Sequence, residues 1–148
     1  MRCSWAATAL VAAACATVAQ AQSGEDQVRR AIMDMNRAAQ RLDADAFMRS
    51  YWRSPRLAVT FDGETMRGWD IIAREQRKWW ADKSAGIRFD EQRPAEIVSQ
   101  GDGVVTSLQW MRVSRAGDQK PARLVITSVW KKLPEEWRVV LAHESLVP

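Results

Sequence analysis

From Glu25 to Leu42 the apolar residues Val28, Ala31, Ile32, Met35, Ala38, Ala39 and Leu42 recur at steps of three and four, while Arg29, Asp34, Arg37 and Arg41 fall largely on the other side. A single apolar stripe at that period predicts an amphipathic helix with one face on a core. The pattern restarts in "LDADAFMRSYW", where Asp43 is placed to cap a short second helix carrying Phe47, Tyr51 and Trp52 on one face. Pro55 is expected to end that helix, because its ring cannot continue one and it restricts Ser54 before it.

The period then changes to two. In "LAVTFDGETMRG", Leu57, Val59 and Phe61 alternate with Ala58, Thr60 and Asp62, and Asp62-Gly63 supplies a tight turn into a short return strand. After Gly68, the spacing of Trp69, Ile72, Gln76 and Trp79/Trp80 predicts a third helix. Beyond Gly86 four β-rich runs follow, over 87–100, 104–114, 122–132 and 137–147, separated by "GDG", "RAGDQKP" and "LPEE". Short turn-rich connections between long strands imply an antiparallel meander. The order predicts an α+β domain, with three N-terminal helices packed on one face of a curved, mostly antiparallel sheet.

The opening segment stands apart from this pattern. "MRCSWAATALVAAACATVAQAQ" has a short positive start, an apolar run and the small-x-small sequence Ala19-Gln20-Ala21. It reads as a signal peptide over 1–21, too short and alanine-rich for a membrane span, which leaves 22–148 as one domain exported to a bacterial periplasm. "LVAAAC" offers lipidation at Cys15 as an alternative, but Ala12 stands where such motifs prefer leucine, which favours cleavage after Ala21. Cys3 and Cys15 both lie in this segment, so the mature chain has no thiol and its stability must come from a packed core.

Composition narrows the function classes. One of 22 basic and none of 18 acidic residues precede the cleavage site, so the mature chain is only mildly basic, with its charges dispersed. No basic block or nucleic-acid motif is present, and export argues further against such a partner. One histidine and no mature cysteine give no transition-metal ligand set. "GETMRG" lacks the ending of a phosphate loop. Seven of the eight tryptophans fall in the mature chain, enough to wall an apolar pocket or a large interface as well as fill a core.

"DADAFMRSYWRSPRLAVTFDGETMRGWDII" resembles the helix–strand–turn–helix signature of the NTF2-like superfamily, in its SnoaL-like/DUF4440 branch. "ARLVITSVWKKLPEEWRVVLAHESLVP" resembles the closing hairpin, with Trp137 leading into His143-x-Ser145. The resemblance implies an NTF2-like cone, its sheet curled around a pocket closed by the helices, with the other sheet face making a homodimer and no cofactor bound. It implies a pocket between Tyr51, Trp52 and Phe61 and the inward residues of the last three strands, Trp110, Arg123, Thr127 and His143 being candidates. Alternation puts Arg123, Val125, Thr127 and Val129 on one face of their strand, and Trp137, Val139, Leu141, His143 and Ser145 on one face of the next. Periodicity alone does not say which faces look inward.

The isomerase-like members of that superfamily use a carboxylate near the end of the first strand. That motif sets Phe61 at the acid's position, with Asp62 one residue later and directed to the opposite face. His143 is the remaining candidate base, weighed against a structural ring bonded to Ser145, the reading we favour. Arg123 could pair with a neighbouring acid or hold a ligand carboxylate. The expectation is a binder of a small hydrophobic molecule, an acidic one included. A cofactor-independent isomerase, cyclase or dehydratase and a dimeric association module are the alternatives.

Overall fold

The computed structural model describes residues 23–117, 120–134 and 136–147. The opening segment expected to be a signal peptide, with Cys15 in it, lies outside them. The elements run α1 (Gly24–Gln40), α2 (Ala44–Met48), β1 (Ala58–Phe61), β2 (Glu64–Arg67), α3 (Trp69–Trp79), a 3-10 turn (Lys83–Ala85), β3 (Arg88–Gly101), β4 (Val104–Ser114), β5 (Ala122–Lys132) and β6 (Trp137–Val147). They form an α+β domain whose six-stranded sheet has the order β2-β1-β6-β5-β4-β3. Strands β3 to β6 are the predicted antiparallel meander. Strand β1 adds parallel to β6 and turns back into β2.

Local chemistry accounts for the helix ends. Ser23 accepts the Asp26 N–H at the start of α1, and Asp43 accepts the Ala46 N–H at the start of α2. Leu42 closes α1 with φ +52°, a conformation usually left to glycine. Its N–H and that of Asp43 donate to Ala39 and Ala38, and its side chain is buried in a cluster with Ala39, Ala44 and Trp80. That burial offsets the backbone cost. Helix α2 stops at Met48, well before Pro55, so the expectation that Pro55 ends it is corrected. The chain leaves early because β6 captures it: the Val139 N–H donates to Ser50 O and the Trp52 N–H to Val139 O, both at 2.9 Å.

The sheet curls because its strands carry extra residues. Edge strand β3 shifts register after Glu91, Arg93 and Ser99, with Pro94 inside one of the irregular stretches, where an edge tolerates its missing N–H. The inner face reads in rows across β4, β5 and β6. Val105, Trp130 and Val139 form one row, all fully buried beneath the helices. The next is Ser107, Ser128 and Ala142, small and also buried. Within this core the Trp130 indole N–H donates to Ser107 Oγ at 2.9 Å.

An indole N–H stripped of its acceptor in a dry core carries its full desolvation cost. Ser107→Ala should therefore lower the unfolding free energy by about 1–3 kcal/mol. In urea denaturation, adding Trp130→Phe should bring little loss from the hydrogen bond itself. Independent, additive losses would remove this account of the pair.

Candidate functional site

Further along the same inner face the helices no longer cover the sheet. The next row is Gln109, Ile126 and Glu144, continued into β1 by Phe61; after it come Met111, Leu124 and Leu146. These rows floor a cavity of about 410 Å³ whose wall is largely apolar. Trp79 and Trp80 at the end of α3, Phe47 of α2 and Phe89 of β3 supply rings around it. The rings support one another, with centroids 5.0 Å apart for Phe47–Trp80, 5.5 Å for Trp80–Phe89 and 6.3 Å for Phe61–Trp79. Asn36 and Gln76 bring amides to the wall, and Arg115 brings a guanidinium. Gln109 Nε2 donates to Asn36 Oδ1 at 3.4 Å, tying the floor to α1.

Among the described residues, Glu144 is the one acidic residue lining this cavity. It lies between Phe61 on β1 and Ile126 on β5. No hydrogen bond or ion pair reaches its carboxyl among the described residues. Withdrawal from water raises its pKa from an ordinary 4.5 to about 7. Tyr51, buried behind Phe47 at a centroid distance of 5.4 Å, has its phenol pKa raised as well, first by burial and then by the charge of Glu144. A carboxyl poised near neutrality in an apolar wall can bind a donor or acceptor, or move a proton.

A bulge decides that Glu144 faces inward. Trp130 pairs with Val139 but Val129 pairs with Leu141, so β6 holds one extra residue, Val140. The alternation expected from Trp137 through Ser145 is therefore broken: Trp137 and Val139 point in, and then Ala142, Glu144 and Leu146 do. His143 is left exposed on the outer face, its Nε2 3.3 Å from Ser145 Oγ.

The expected site residues divide accordingly. Phe61 lines the cavity. Tyr51 belongs to the core behind it. Trp52 sits apart, half-buried under the Arg56 guanidinium, 5.1 Å from its ring. Trp110, Arg123, Thr127 and His143 take the opposite phase from the lining residues Met111, Leu124, Ile126 and Glu144, and so stand on the outer sheet face. Their expected place in the pocket is corrected, because the inward rows of β4 and β5 are the odd-numbered and even-numbered positions respectively, and Val140 reverses β6. Arg93 lies over the Trp110 ring at 3.3 Å. Asp62 heads the β1–β2 turn with φ +46°, exposed and outside the cavity.

Sequence reading passed over Glu144 and the Trp79, Trp80 and Phe89 wall as site residues. The available signal was the run Val139-Val140-Leu141-Ala142, four apolar residues through which no phase can be carried. A second groove, about 570 Å³, lies between α1 and the start of β6 and is bordered by charged side chains including Arg37, paired with Asp34, and Arg138, paired with Glu136. Among the described residues, no group of three or more His, Cys, Asp or Glu side chains could hold a metal, and no helix is long and apolar enough to cross a membrane.

The raised pKa of Glu144 has a fixed sign in stability. The folded state binds the proton more tightly than the unfolded chain, so the penalty is absent below about pH 4.5, grows as pH rises and is complete above about 7. Because Glu144 is only half-buried, its size is at most about 3 kcal/mol. Glu144→Gln should flatten the pH profile of urea denaturation across that interval and be the more stable protein at alkaline pH. Parallel profiles for the two proteins would contradict the assignment.

Comparison with known proteins agrees with this architecture. The SnoaL-like domain profile matches residues 28–148. The chain is similar in structure to an NTF2-like protein of unknown function from Shewanella oneidensis MR-1, 23% identical, with 81% of this chain and 97% of that one covered and a TM-score of 0.70. It is similar to a protein of the DUF3225 family from Pectobacterium atrosepticum, with 22% identity, 84% and 91% coverage and a TM-score of 0.67. A nuclear transport factor 2 (NTF2-like) superfamily protein from Salmonella enterica serovar Typhimurium LT2 gives 17% identity, 84% and 92% coverage and a TM-score of 0.72. At these identities the likeness speaks to the fold alone. No functionally curated protein matches the sequence. The chain belongs to the SnoaL-like domain family, on the NTF2-like α+β cone.

Proposed function

We propose that this is an exported, periplasmic protein that binds a small hydrophobic molecule in the aromatic-walled cavity, without a cofactor. The observation that carries this reading is the cavity itself: about 410 Å³ left open on the inner face of the sheet, ringed by Phe47, Phe61, Trp79, Trp80 and Phe89. That volume lies within the range of small-molecule sites, roughly 300–1,000 Å³, and the mixture of apolar wall with few polar groups is typical of them. Export rests on the signal-like opening with Ala19-Gln20-Ala21. Arg123 stands on the outer face, so a preference for acidic ligands has no support from that residue.

A second reading, proton-transfer catalysis on a hydrophobic substrate, is favoured by one specific observation. Phe61 stands where the isomerase-like acid is expected, and Glu144 is its register partner on the adjacent strand. The acid that β1 lacks thus reaches the same part of the cavity from β6, with a pKa of about 7 suited to giving or taking a proton.

The outer sheet face suits a second copy of the chain. Val98, Leu141 and Val147 are exposed there, beside half-buried Leu108, Trp110 and Val125. An apolar surface of this kind on a soluble domain marks an association site.

A thermal-shift screen with small hydrophobic compounds should find ligands that raise the unfolding midpoint, the gain growing with the logarithm of concentration over Kd. Hits recovered unchanged support the binder. Hits recovered chemically altered, with turnover lost in folded Glu144→Gln, support the enzyme. Sedimentation at micromolar concentration should show a dimer that Leu141→Arg converts to monomer, whereas a wild-type monomer would remove the dimer.

A further inference from the structure

Glu144 puts a half-buried carboxyl on the wall of an otherwise largely apolar cavity. Its backbone carbonyl accepts the Asp62 N–H at 3.0 Å, but its carboxyl has no partner among the described residues. Its cross-strand neighbours Phe61 and Ile126 offer only hydrocarbon. A carboxyl that opens on an apolar cavity without a protein partner gains most from a ligand that brings the right group to it. The partner such a carboxyl lacks is a hydrogen-bond donor, and a charged donor makes the stronger bond.

The rest of the wall favours a positive charge. Indole and phenyl faces attract cations through their quadrupoles, tryptophan most strongly, and Trp79, Trp80, Phe61 and Phe89 all line this space. The groups facing Glu144 from the packed elements are few. Asn36 of α1 and Gln76 of α3 are uncharged, Tyr51 after α2 stays neutral because burial raises its pKa, and Arg115 after β4 is exposed and already engaged. An anionic ligand would meet a like charge in an apolar wall. A neutral acceptor would satisfy only the protonated carboxyl.

We infer that the cavity takes a hydrophobic organic cation, an arylalkyl or alicyclic amine, whose ammonium group pairs with Glu144 while its apolar body lies against the tryptophan and phenylalanine wall. This rests on the reading of the cavity as a ligand site and specifies the class of ligand. It also gives binding a pH dependence of known sign. Glu144 becomes a carboxylate as pH rises through about 7, whereas alkylamines stay protonated much further, as lysine does with its pKa of about 10.4. Affinity for the amine should therefore rise between mildly acidic and mildly alkaline pH.

Three compounds of nearly one shape test this: naphthylmethylamine, naphthylmethanol and naphthoate, titrated calorimetrically into the protein at about pH 5.5 and about pH 8, on either side of the carboxyl's transition. At the higher pH the amine should bind about tenfold or more tighter than the alcohol, and the acid weakest. The amine's advantage should shrink at the lower pH. In Glu144→Gln it should vanish, the amine and the alcohol binding alike, with a native circular dichroism spectrum showing that the variant is folded. If the alcohol or acid binds as tightly as the amine, or the variant keeps the amine preference, the cation assignment is wrong and the binding reading stands. If none of the three binds at either pH, the ligand-site reading fails and the assignment with it.

Discussion

Between Val139 and Leu141, strand β6 has one residue more than β5 has opposite it, and the extra residue, Val140, reverses which side chains face the helices. Before the bulge, Trp137 and Val139 are buried in the core. After it, Ala142, Glu144 and Leu146 point inward and His143 points out. Because side chains alternate strictly along a strand, a single insertion is enough to exchange an imidazole for a carboxyl as the polar group of the cavity. The same stretch receives the chain after α2, through the hydrogen bonds of Val139 with Ser50 and Trp52, so the position of Phe47 and Tyr51 depends on it too.

The inner face is divided into a filled half and an open half by the rows that cross it. Val105, Trp130 and Val139 are large enough to meet α1 and α3 directly, and the small row of Ser107, Ser128 and Ala142 lets the helices sit close. Beyond that row the helices stand off the sheet, and Gln76 and Trp79 near the end of α3, with Trp80 after it, line the gap instead of filling it. The cavity is what remains between the sheet and those helices. Its floor is rigid because it is made of paired strands, a sound base for holding a ligand group in register with Glu144. The domain thus divides its inner face: the rows around Trp130 are packed and buried, and the carboxyl of Glu144 stands on the open part.

Much of this was legible in the sequence. The 3.6-residue stripe of α1, the Asp43 cap, the Asp62-Gly63 turn and the four β runs of the meander each rest on local periodicity or local hydrogen bonding, which a chain carries in its own order of residues. The resemblance in "DADAFMRSYW" and "EEWRVVLAHES" pointed to the cone and the SnoaL-like family for the same reason. The resemblance set Phe61, at the end of its strand, beside the pocket, and Phe61 is among the residues that line the cavity.

What the sequence could not supply was the facing of β4, β5 and β6 and the assembly of the wall. Val139-Val140-Leu141-Ala142 is apolar throughout, so no alternation marks where the bulge falls, and the choice between His143 and Glu144 depends on pairing with a strand distant in the chain. Trp80 and Phe89 lie close in sequence to each other but meet Phe47, Leu124 and Glu144 only through the fold. The sequence by itself determined the elements, their order and the family, since these follow from local pattern. The tertiary structure alone decided which side chains share a cavity, since that follows from register, and register is set between strands rather than within one.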